Sequence, residues 1–476
     1  MNKRYTRTKI IATVGPACNT PEMLRRLLHA GVDTFRLNFS HGTQESHLAV
    51  IKIIRGLNEE LGTHAGILGD LQGPKIRIGE VEGGGIDLIP DKDIAITTVK
   101  SPSTAKSLFV DYPHFAREVN AGDTVLLDDG QFELKVKSTN GQDAVKARVV
   151  YGGRLTSRKG VNLPDSDISM PSLTRKDLDD LKFAIEQELN WIALSFVRKA
   201  EDIVDLKKRI RRAGKNIRVV AKIEKPQAVK NIDSIIEATD AVMVARGDLG
   251  VEMPIEEITI VQKDIIARCI LSSKPVIIAT QMLQSMVDSP RPTRAEITDV
   301  ANGILDGADA LMLSAETATG KYPVKAVELM NDIARRMEAQ SGIYSKPLVP
   351  NLLSKNLMAD AICYNACKIA NDVNASAIIA MSRSGYSAMR ISSFRPSAHI
   401  LVIMDDQEQL NTLSMVWGVR TFCYDKMRST DETIEEVKEM LKQEGMLQKG
   451  DIVVNTASMP LHWKGTTNML KLSRIE

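Results

Sequence analysis

Lys222, Glu224 and Asp248 are the side chains in this sequence whose types and spacing most directly suggest joint chemistry. Lys222 and Glu224 are two residues apart in an apolar run, so as strand residues they project from one face. Two carboxylates at adjacent strand ends suit magnesium or manganese, which prefer oxygen ligands and keep part of their water shell. An ammonium and a divalent ion converging on one point can hold a phosphoryl group or an enolate. Either acid alone reads as a strand-end partner for Lys222 or Arg246; the three together read as a site. Gly247-Asp248-Leu249-Gly250 reads as a tight turn whose backbone N–H groups suit a small carboxylate. Thr280 offers a hydroxyl that serves either a substrate or a helix N-cap. Arg36, Asn38, Ser40 and His41 form a second polar cluster, and arginine suits bidentate phosphate contact.

These residues, with Asp70, Ser314 and Glu316, all fall at the ends of apolar runs. The runs read as strands over 8–15, 34–40, 65–71, 191–196, 218–224, 241–245, 275–280 and 310–314. Helical patterns stand between them, near 21–30, 44–61, 176–188, 201–213, 229–237, 255–271 and 294–305, with a last one at 324–339. Eight βα units predict a parallel sheet closed as a TIM barrel, whose site forms where strands end and βα loops begin. About 94 residues are surplus to the period of that barrel, lying in roughly 73–167. β-like runs at 94–99, 124–127, 132–138 and 144–151, with turn signals at Gly83-Gly84-Gly85 and Asn140-Gly141, predict an inserted small all-β domain. Pro347 and Pro350 mark a linker to a C-terminal α/β domain. There, helices are expected at 358–373, 387–394 and 407–416, and strands at 376–381, 400–404, 421–424, 452–455 and 468–472. The expected division is barrel 1–72, insert 73–167, barrel 168–342 and C-terminal domain 343–476.

Composition narrows the classes. The 476 residues carry 62 basic and 60 acidic side chains, net +2, which leaves no electrostatic footprint for nucleic acid or an anionic membrane. No run of 18 apolar residues predicts a membrane span, and the basic N-terminus leads into no apolar signal core. Five scattered cysteines without a CxxC pair argue against a disulfide framework or zinc site and for a reducing cytoplasm. The basic run 207–212 reads as a solvated helix face, Cys363 and Cys367 as core thiols, and the acidic segment 431–436 as a helix N-terminus.

Ordered strings along the chain resemble the pyruvate kinase family: ATVGPA (12–17), FRLNFSHG (35–42), GDLQGPKIR (69–77) and AKIEKP (221–226). MVARGDLGVE (243–252), ATQMLQSM (279–286), PTRAEITDVANGILDG (292–307) and LMLSAETATGKYP (311–323) continue the series. The resemblance is strongest in the barrel and weakest after residue 342. It implies transfer of a phosphoryl group from phosphoenolpyruvate to ADP, giving ATP and, after protonation of the enolate, pyruvate. By the same resemblance Lys222 neutralises the transferred group, and Glu224 and Asp248 bind Mg2+ or Mn2+. Gly247, Asp248 and Thr280 receive the substrate carboxylate, and Arg36 and Arg77 contact phosphate. Pro16, Asn38, His41 and Lys159 fall in or near the nucleotide pocket, and Thr280 and Ser314 are candidates for the proton route. The insert becomes a lid that excludes water.

One departure is informative. Many members carry an acid where this chain has Lys75 and a threonine near Leu71, and hold potassium with groups matching Asn38, Ser40 and Asp70. The Lys75 ammonium in place of that ion's charge points to a subtype that does not require K+. In the C-terminal domain Ser382, Arg383, Ser384, Gly385 and Ser387 stand between a strand and a helix, where hydroxyls and N–H groups can cradle phosphate. The resemblance makes this the loop for a phosphorylated effector, a sugar phosphate or AMP, with a second contact from 458–467 through Trp463 and Lys464. It also implies a homotetramer. Two rivals remain at this stage: another metal-dependent barrel acting on pyruvate or phosphoenolpyruvate, such as an aldolase, and a non-catalytic metabolite sensor.

Overall fold

Eight short apolar segments form the centre of the molecule: β1 (Lys9–Thr13), β2 (Thr34–Asn38), β3 (Gly66–Asp70), β4 (Trp191–Leu194), β5 (Arg218–Ile223), β6 (Ala241–Ala245), β7 (Val276–Ala279) and β8 (Ala310–Leu313). Nearly every residue in them is buried, as a parallel sheet covered on both faces requires. Each pairs in parallel with its sequence neighbours, and β8 pairs with β1, closing the barrel. This computed structural model describes residues 5–166, 168–344, 354–426, 429–459 and 466–476. The Pro347–Pro350 linker, Trp463 and Lys464 lie outside the described residues.

The helices follow the capping signals of the sequence. Thr20 caps Pro21–Ala30, with Gly31 left-handed at its end, and Thr174 and Thr293 form capping boxes. The helix expected over 229–237 is two short ones, Pro226–Lys230 and Ile232–Ala238, and 255–271 opens with a separate tight turn, Ile255–Glu257.

The insert follows β3. Its main sheet runs Val161–Asn162, Thr124–Leu127, Phe132–Thr139, Ala144–Tyr151, Asp93–Thr97 and Ser107–Phe109 in spatial order, and a second pair joins Gly153–Leu155 to Ile86–Leu88. It has a hydrophobic core of its own, including Ile96, Leu108, Phe115, Leu134 and Ala147.

The C-terminal sheet contains β9 (Ala377–Met381), β10 (His399–Met404), β11 (Val419–Cys423), β12 (Ile452–Ala457) and β13 (Met469–Arg474), in the order β11-β10-β9-β12-β13, with only β13 antiparallel. A helix expected over 407–416 ends at Leu410 and tightens into the turn Asn411–Met415. Tertiary contacts explain the break. The Thr412 carbonyl accepts from Trp191 Nε1 at 3.0 Å, Ser414 Oγ meets Thr34 Oγ1 at 2.7 Å, and Met415 joins the cluster inside the barrel. This turn plugs the barrel floor. A Cβ on Gly66 would lie 2.8 Å from the Asn411 carbonyl oxygen and 2.3 Å from Ser414 Oγ, so a side chain there would force this turn to shift.

All five cysteines are free, and four are buried, Cys363 and Cys367 in the core as expected. In the basic run Lys208, Arg209, Arg211 and Arg212 are exposed, as a solvated helix face requires, with Arg209 paired to Asp205, whereas Lys207 is half-buried against Asp240. No helix among the described residues is long and apolar enough to cross a membrane.

Candidate active site

The end of β5 delivers Lys222 and Glu224 to the barrel mouth. Lys222 Nζ lies 2.8 Å from Glu224 Oε1, 3.3 Å from Asp70 Oδ1 and 2.6 Å from Ser195 Oγ, to which it donates. Asp70, at the end of β3, also receives Arg36 from β2: Nε at 2.7 Å and Nη2 at 2.6 Å, both on Oδ2. Arg36 Nη1 donates to Thr13 Oγ1 at 3.1 Å, tying in β1. Glu224 Oε2 accepts from the backbone N–H of Phe196 at 2.7 Å. Four strands, β2 to β5, therefore converge on one cluster of two cations and two carboxylates.

Burial dominates its electrostatics. Desolvation pushes Asp70 upward, but Lys222 and Arg36 more than offset it and hold the carboxyl below its ordinary value. Burial disfavours the Lys222 ammonium; Asp70 and Glu224 outweigh that and raise it, so Lys222 is firmly charged. Glu224 is raised, by burial first, against the pull of Lys222 and with a push from Asp248. A carboxyl raised in this way has room for further positive charge. Among the described residues no three His, Cys, Asp or Glu side chains gather to hold a metal. A divalent ion on Glu224 and Asp248 would complete its shell with substrate and water, and the all-oxygen donor set fits magnesium or manganese.

At the adjacent strand end, the tight turn expected at Gly247-Asp248 is instead the first turn of a helix, Arg246–Glu252, directly continuous with β6. The reason is the neighbouring strand. Thr280 Oγ1 accepts from Gly247 N–H at 2.7 Å, capping a helix that is not its own. Thr280 and Gln281 both adopt left-handed φ, 69° and 54°. For a β-branched residue this is uncommon and costs on the order of 1–3 kcal/mol. Arg246 holds the arrangement, donating to Thr280 O at 2.9 Å and Asp299 Oδ1 at 2.6 Å. It does not pair with Glu224 or Asp248, the partners open to it in the sequence. Ser314, after β8, has its N–H on Glu316 Oε2 at 2.7 Å, while Glu316 Oε1 accepts from Leu283 N–H.

The remaining sequence-predicted residues fall into two groups. Asn38 Oδ1 accepts from Ser40 N–H at 3.1 Å, and His41 N–H bonds to Asn38 O, so these three form one turn beside Asp70. Pro16 lies in the loop after β1, where a Cβ on Gly15 would clash with Ala318 O at 2.5 Å. Arg77 and Lys159 belong to the insert. Arg77 donates to Arg158 O at 3.0 Å and Lys159 pairs with Asp128 at 3.0 Å. Lys75 meets Asp129 at 3.7 Å and packs against Gly160. No described bond joins Arg77, Lys159 or Lys75 to the Asp70 cluster. The insert meets the barrel through Asn162, whose Nδ2 donates to Glu252 Oε1 at 2.6 Å, and Glu252 also pairs with Lys225.

Sequence reasoning missed Ser195 and Asp299. Ser195 closes β4 as Asp70 closes β3, and that equivalent position was the available signal. Asp299 lies inside a helix, with nothing local to mark it. In the C-terminal loop Gly385 N–H bonds to Ser382 Oγ at 3.1 Å, Arg383 faces Asp405 at 3.7 Å, and Ser384 Oγ accepts from Tyr386 N–H at 3.4 Å. Ser387 is buried in the first turn of Tyr386–Ser393.

A parallel barrel whose mouth sets a charged lysine among carboxylates, with an arginine beside it, defines a barrel enzyme built for an anionic, oxygen-rich substrate. The pyruvate kinase barrel-domain family matches residues 5–327, and the pyruvate kinase alpha/beta-domain family matches 360–473. Pyruvate kinase 2 of Synechocystis is 43% identical over 474 residues, covering 99% of this chain and 79% of that protein. The pyruvate kinases of Agrobacterium vitis and Mycobacterium tuberculosis are 41% and 40% identical, each covering 98% of both chains. The crystal structure of a pyruvate kinase from Cryptosporidium parvum superposes with a TM-score of 0.91 at 34% identity, over 99% of this chain and 96% of that one. This chain belongs to the pyruvate kinase family and is a glycolytic phosphotransferase of that kind. The family acts on phosphoenolpyruvate and ADP and generally uses Mg2+ and K+.

Proposed function

We propose that the Lys222 cluster is the phosphoryl-transfer centre, and that the bonding of Lys222 to Ser195, Asp70 and Glu224 carries this reading. An ammonium held at three points is aimed before substrate arrives and loses little to reorganisation during the reaction. Lys222 and Arg36 neutralise charge on the transferred group. Gly247, Asp248 and Thr280 orient the substrate carboxylate, and the strained Thr280 is kept in place by Arg246 and Asp299. Thr280 and Ser314 border the route by which a proton reaches the enolate carbon. Glu224 and Asp248 would hold Mg2+ or Mn2+, which supplies charge neutralisation to the phosphate oxygens when bound. Pro16, Asn38, His41, Arg77 and Lys159 serve the nucleotide, and the insert, residues 73–167, closes over it. K+ is not required: Asp70 already carries two cations, and Lys75 follows β3 with a third. Ser382, Arg383, Ser384, Gly385 and Ser387 bind a phosphorylated effector, a sugar phosphate or AMP, in the domain 343–476. The enzyme works in the cytoplasm as a homotetramer.

Lys222→Met tests the centre. Pyruvate formation from phosphoenolpyruvate and ADP should fall by about a thousandfold or more. Phosphoenolpyruvate binding with Mg2+ should stay measurable by calorimetry, and circular dichroism checks the fold. Unchanged turnover removes Lys222 from the reaction.

A further inference from the structure

Glu252 is the point where the insert, the end of β5 and the helix after β6 meet. Its Oε1 accepts from Asn162 Nδ2 at 2.6 Å and pairs with the ammonium of Lys225, and all three residues are buried. Asn162 ends the insert strand Val161–Asn162. Lys225 directly follows Glu224, and Glu252 ends the helix whose first turn carries Gly247 and Asp248. The insert leans on the same helix at a second place. A Cβ on Gly130, in the turn before the insert strand Phe132–Thr139, would lie 3.7 Å from Val251 Cγ1. Where the chain enters and leaves the insert the bonds are of another kind: Gly73 N–H donates to Asp177 Oδ1 at 3.0 Å, and Arg198 donates to the carbonyls of Ile168 and Met170.

Stability alone does not account for this network. A carboxylate at the C-terminal end of a helix opposes the helix dipole, so Glu252 does nothing for its own helix. Glu252 Oε2 and Asn162 Oδ1 are both buried, and no described donor reaches either. Buried acceptors left in that way are costly. The one bond that crosses from insert to helix is charge-assisted and strong, while the two orphaned oxygens recover hydrogen bonds from water once the insert lifts. Gain and cost oppose each other, which keeps the closed and lifted positions close in free energy. Lys225 stays with the barrel in both, so the Glu252 charge is never stranded.

We propose that Asn162 and Glu252 form a latch that holds the insert against the helix Arg246–Glu252, with Lys225 keeping the carboxylate in place when Asn162 withdraws. The inference rests on the reading of the insert as the part that closes over the nucleotide, and it assigns residues that this reading leaves out. All three are positioning residues, bonded to one another and not to substrate. A nucleotide that needs the closed insert binds in proportion to the closed population, which the latch raises. Phosphoenolpyruvate, seated on Lys222 and Arg36 of the barrel, does not depend on it.

Steady-state kinetics of the full chain with Mg2+ test the proposal, on the unsubstituted chain, Asn162→Ala, Asn162→Asp and the double variant Asn162→Asp with Glu252→Gln. Asn162→Ala should raise the KM for ADP about tenfold, the loss of one hydrogen bond to a charged group, and leave the KM for phosphoenolpyruvate within about twofold. Asn162→Asp sets carboxylate against carboxylate and should raise the KM for ADP further. Adding Glu252→Gln restores an amide–carboxylate pair with donor and acceptor exchanged, and Lys225 still has a carboxylate to meet, so the double variant should recover most of the loss. Circular dichroism checks the fold, and Asn162→Ala, which adds no charge, carries the test if Asn162→Asp does not fold. A KM for ADP unchanged in Asn162→Ala overturns the latch. Arg77→Ala and Lys159→Ala then separate the two readings: a raised KM for ADP in these keeps the insert as the nucleotide lid, and an unchanged one removes that reading as well. An equal rise for both substrates, or a double variant no better than Asn162→Asp, also overturns the latch, because the network is then merely structural.

Discussion

At the barrel mouth Lys222 is in reach of Ser195, Asp70 and Glu224, with its side chain 11% exposed; on the insert, Lys75 and Lys159 each meet one aspartate and are 27% and 35% exposed. The two sets of cations serve the same reaction in the proposal but obey different energetics. A buried ion pair that loses one partner strands a charge away from water. An exposed pair is worth about 0–1 kcal/mol and parts easily. The mouth is thus fixed before substrate arrives, while the insert's exposed ion pairs can exchange partners at little cost.

Asp70→Ala should show the largest effect. It removes the shared partner of Arg36 and Lys222, and a loss of about 3–5 kcal/mol in stability is expected, with turnover falling alongside. Asp129→Ala, the matching deletion on the insert, should cost about 1 kcal/mol or less. Urea unfolding of both variants reads the contrast directly, and equal losses would break it.

Arg77→Ala and Lys159→Ala come next. Each should raise the KM for ADP by about tenfold, the loss of one charge-assisted phosphate contact, with unfolding midpoints unchanged. A fall in stability comparable to that of Asp70→Ala would mean that the insert is as rigid as the mouth.

Potassium sharpens the comparison at its boundary, because Lys75 follows β3 but reaches toward the insert. Initial rates of pyruvate formation with Mg2+ should agree within about twofold in K+-free and K+-containing buffer, too small a difference for a lost cation site. Lys75→Glu should make the rate depend on K+. A native enzyme active only with K+ would remove Lys75 from that role.

The smallest effect lies in acid stability. The Asp70 carboxyl is held below its ordinary 3.8 once Lys222 and Arg36 overcome burial. Its contribution is therefore complete above the unfolded value and lost as pH falls through the folded one. Unfolding midpoints should drop below about pH 4, and Asp70→Asn should flatten that part of the profile.

Much of this arrangement can be read from sequence because barrel strands are short, apolar and followed by polar residues at one end. Lys222, Glu224, Arg36, Asp70 and Thr280 all announce themselves by position. What the sequence conceals is tertiary choice. Arg246 takes Asp299 rather than a neighbouring strand-end acid, since the left-handed Thr280 turns its carbonyl toward the guanidinium. The helix pattern over 407–416 is sound locally, yet its second half is spent plugging the barrel floor through Thr412, Ser414 and Met415. The insert's short edge strands, such as Val161–Asn162, are too brief for any periodicity to reveal.

The distribution of thiols has a practical consequence. Burial raises Cys18, Cys269, Cys363 and Cys367, leaving them protonated as well as shielded. Cys423 alone is exposed, at the end of the edge strand β11. A maleimide dye applied to the folded native chain therefore has a single address, on the C-terminal domain and away from the catalytic mouth. Burial and nearby aspartates raise the Cys423 thiol too, so the reaction speeds up in mild alkali. One spectroscopic reporter can be placed without engineering a cysteine-free background.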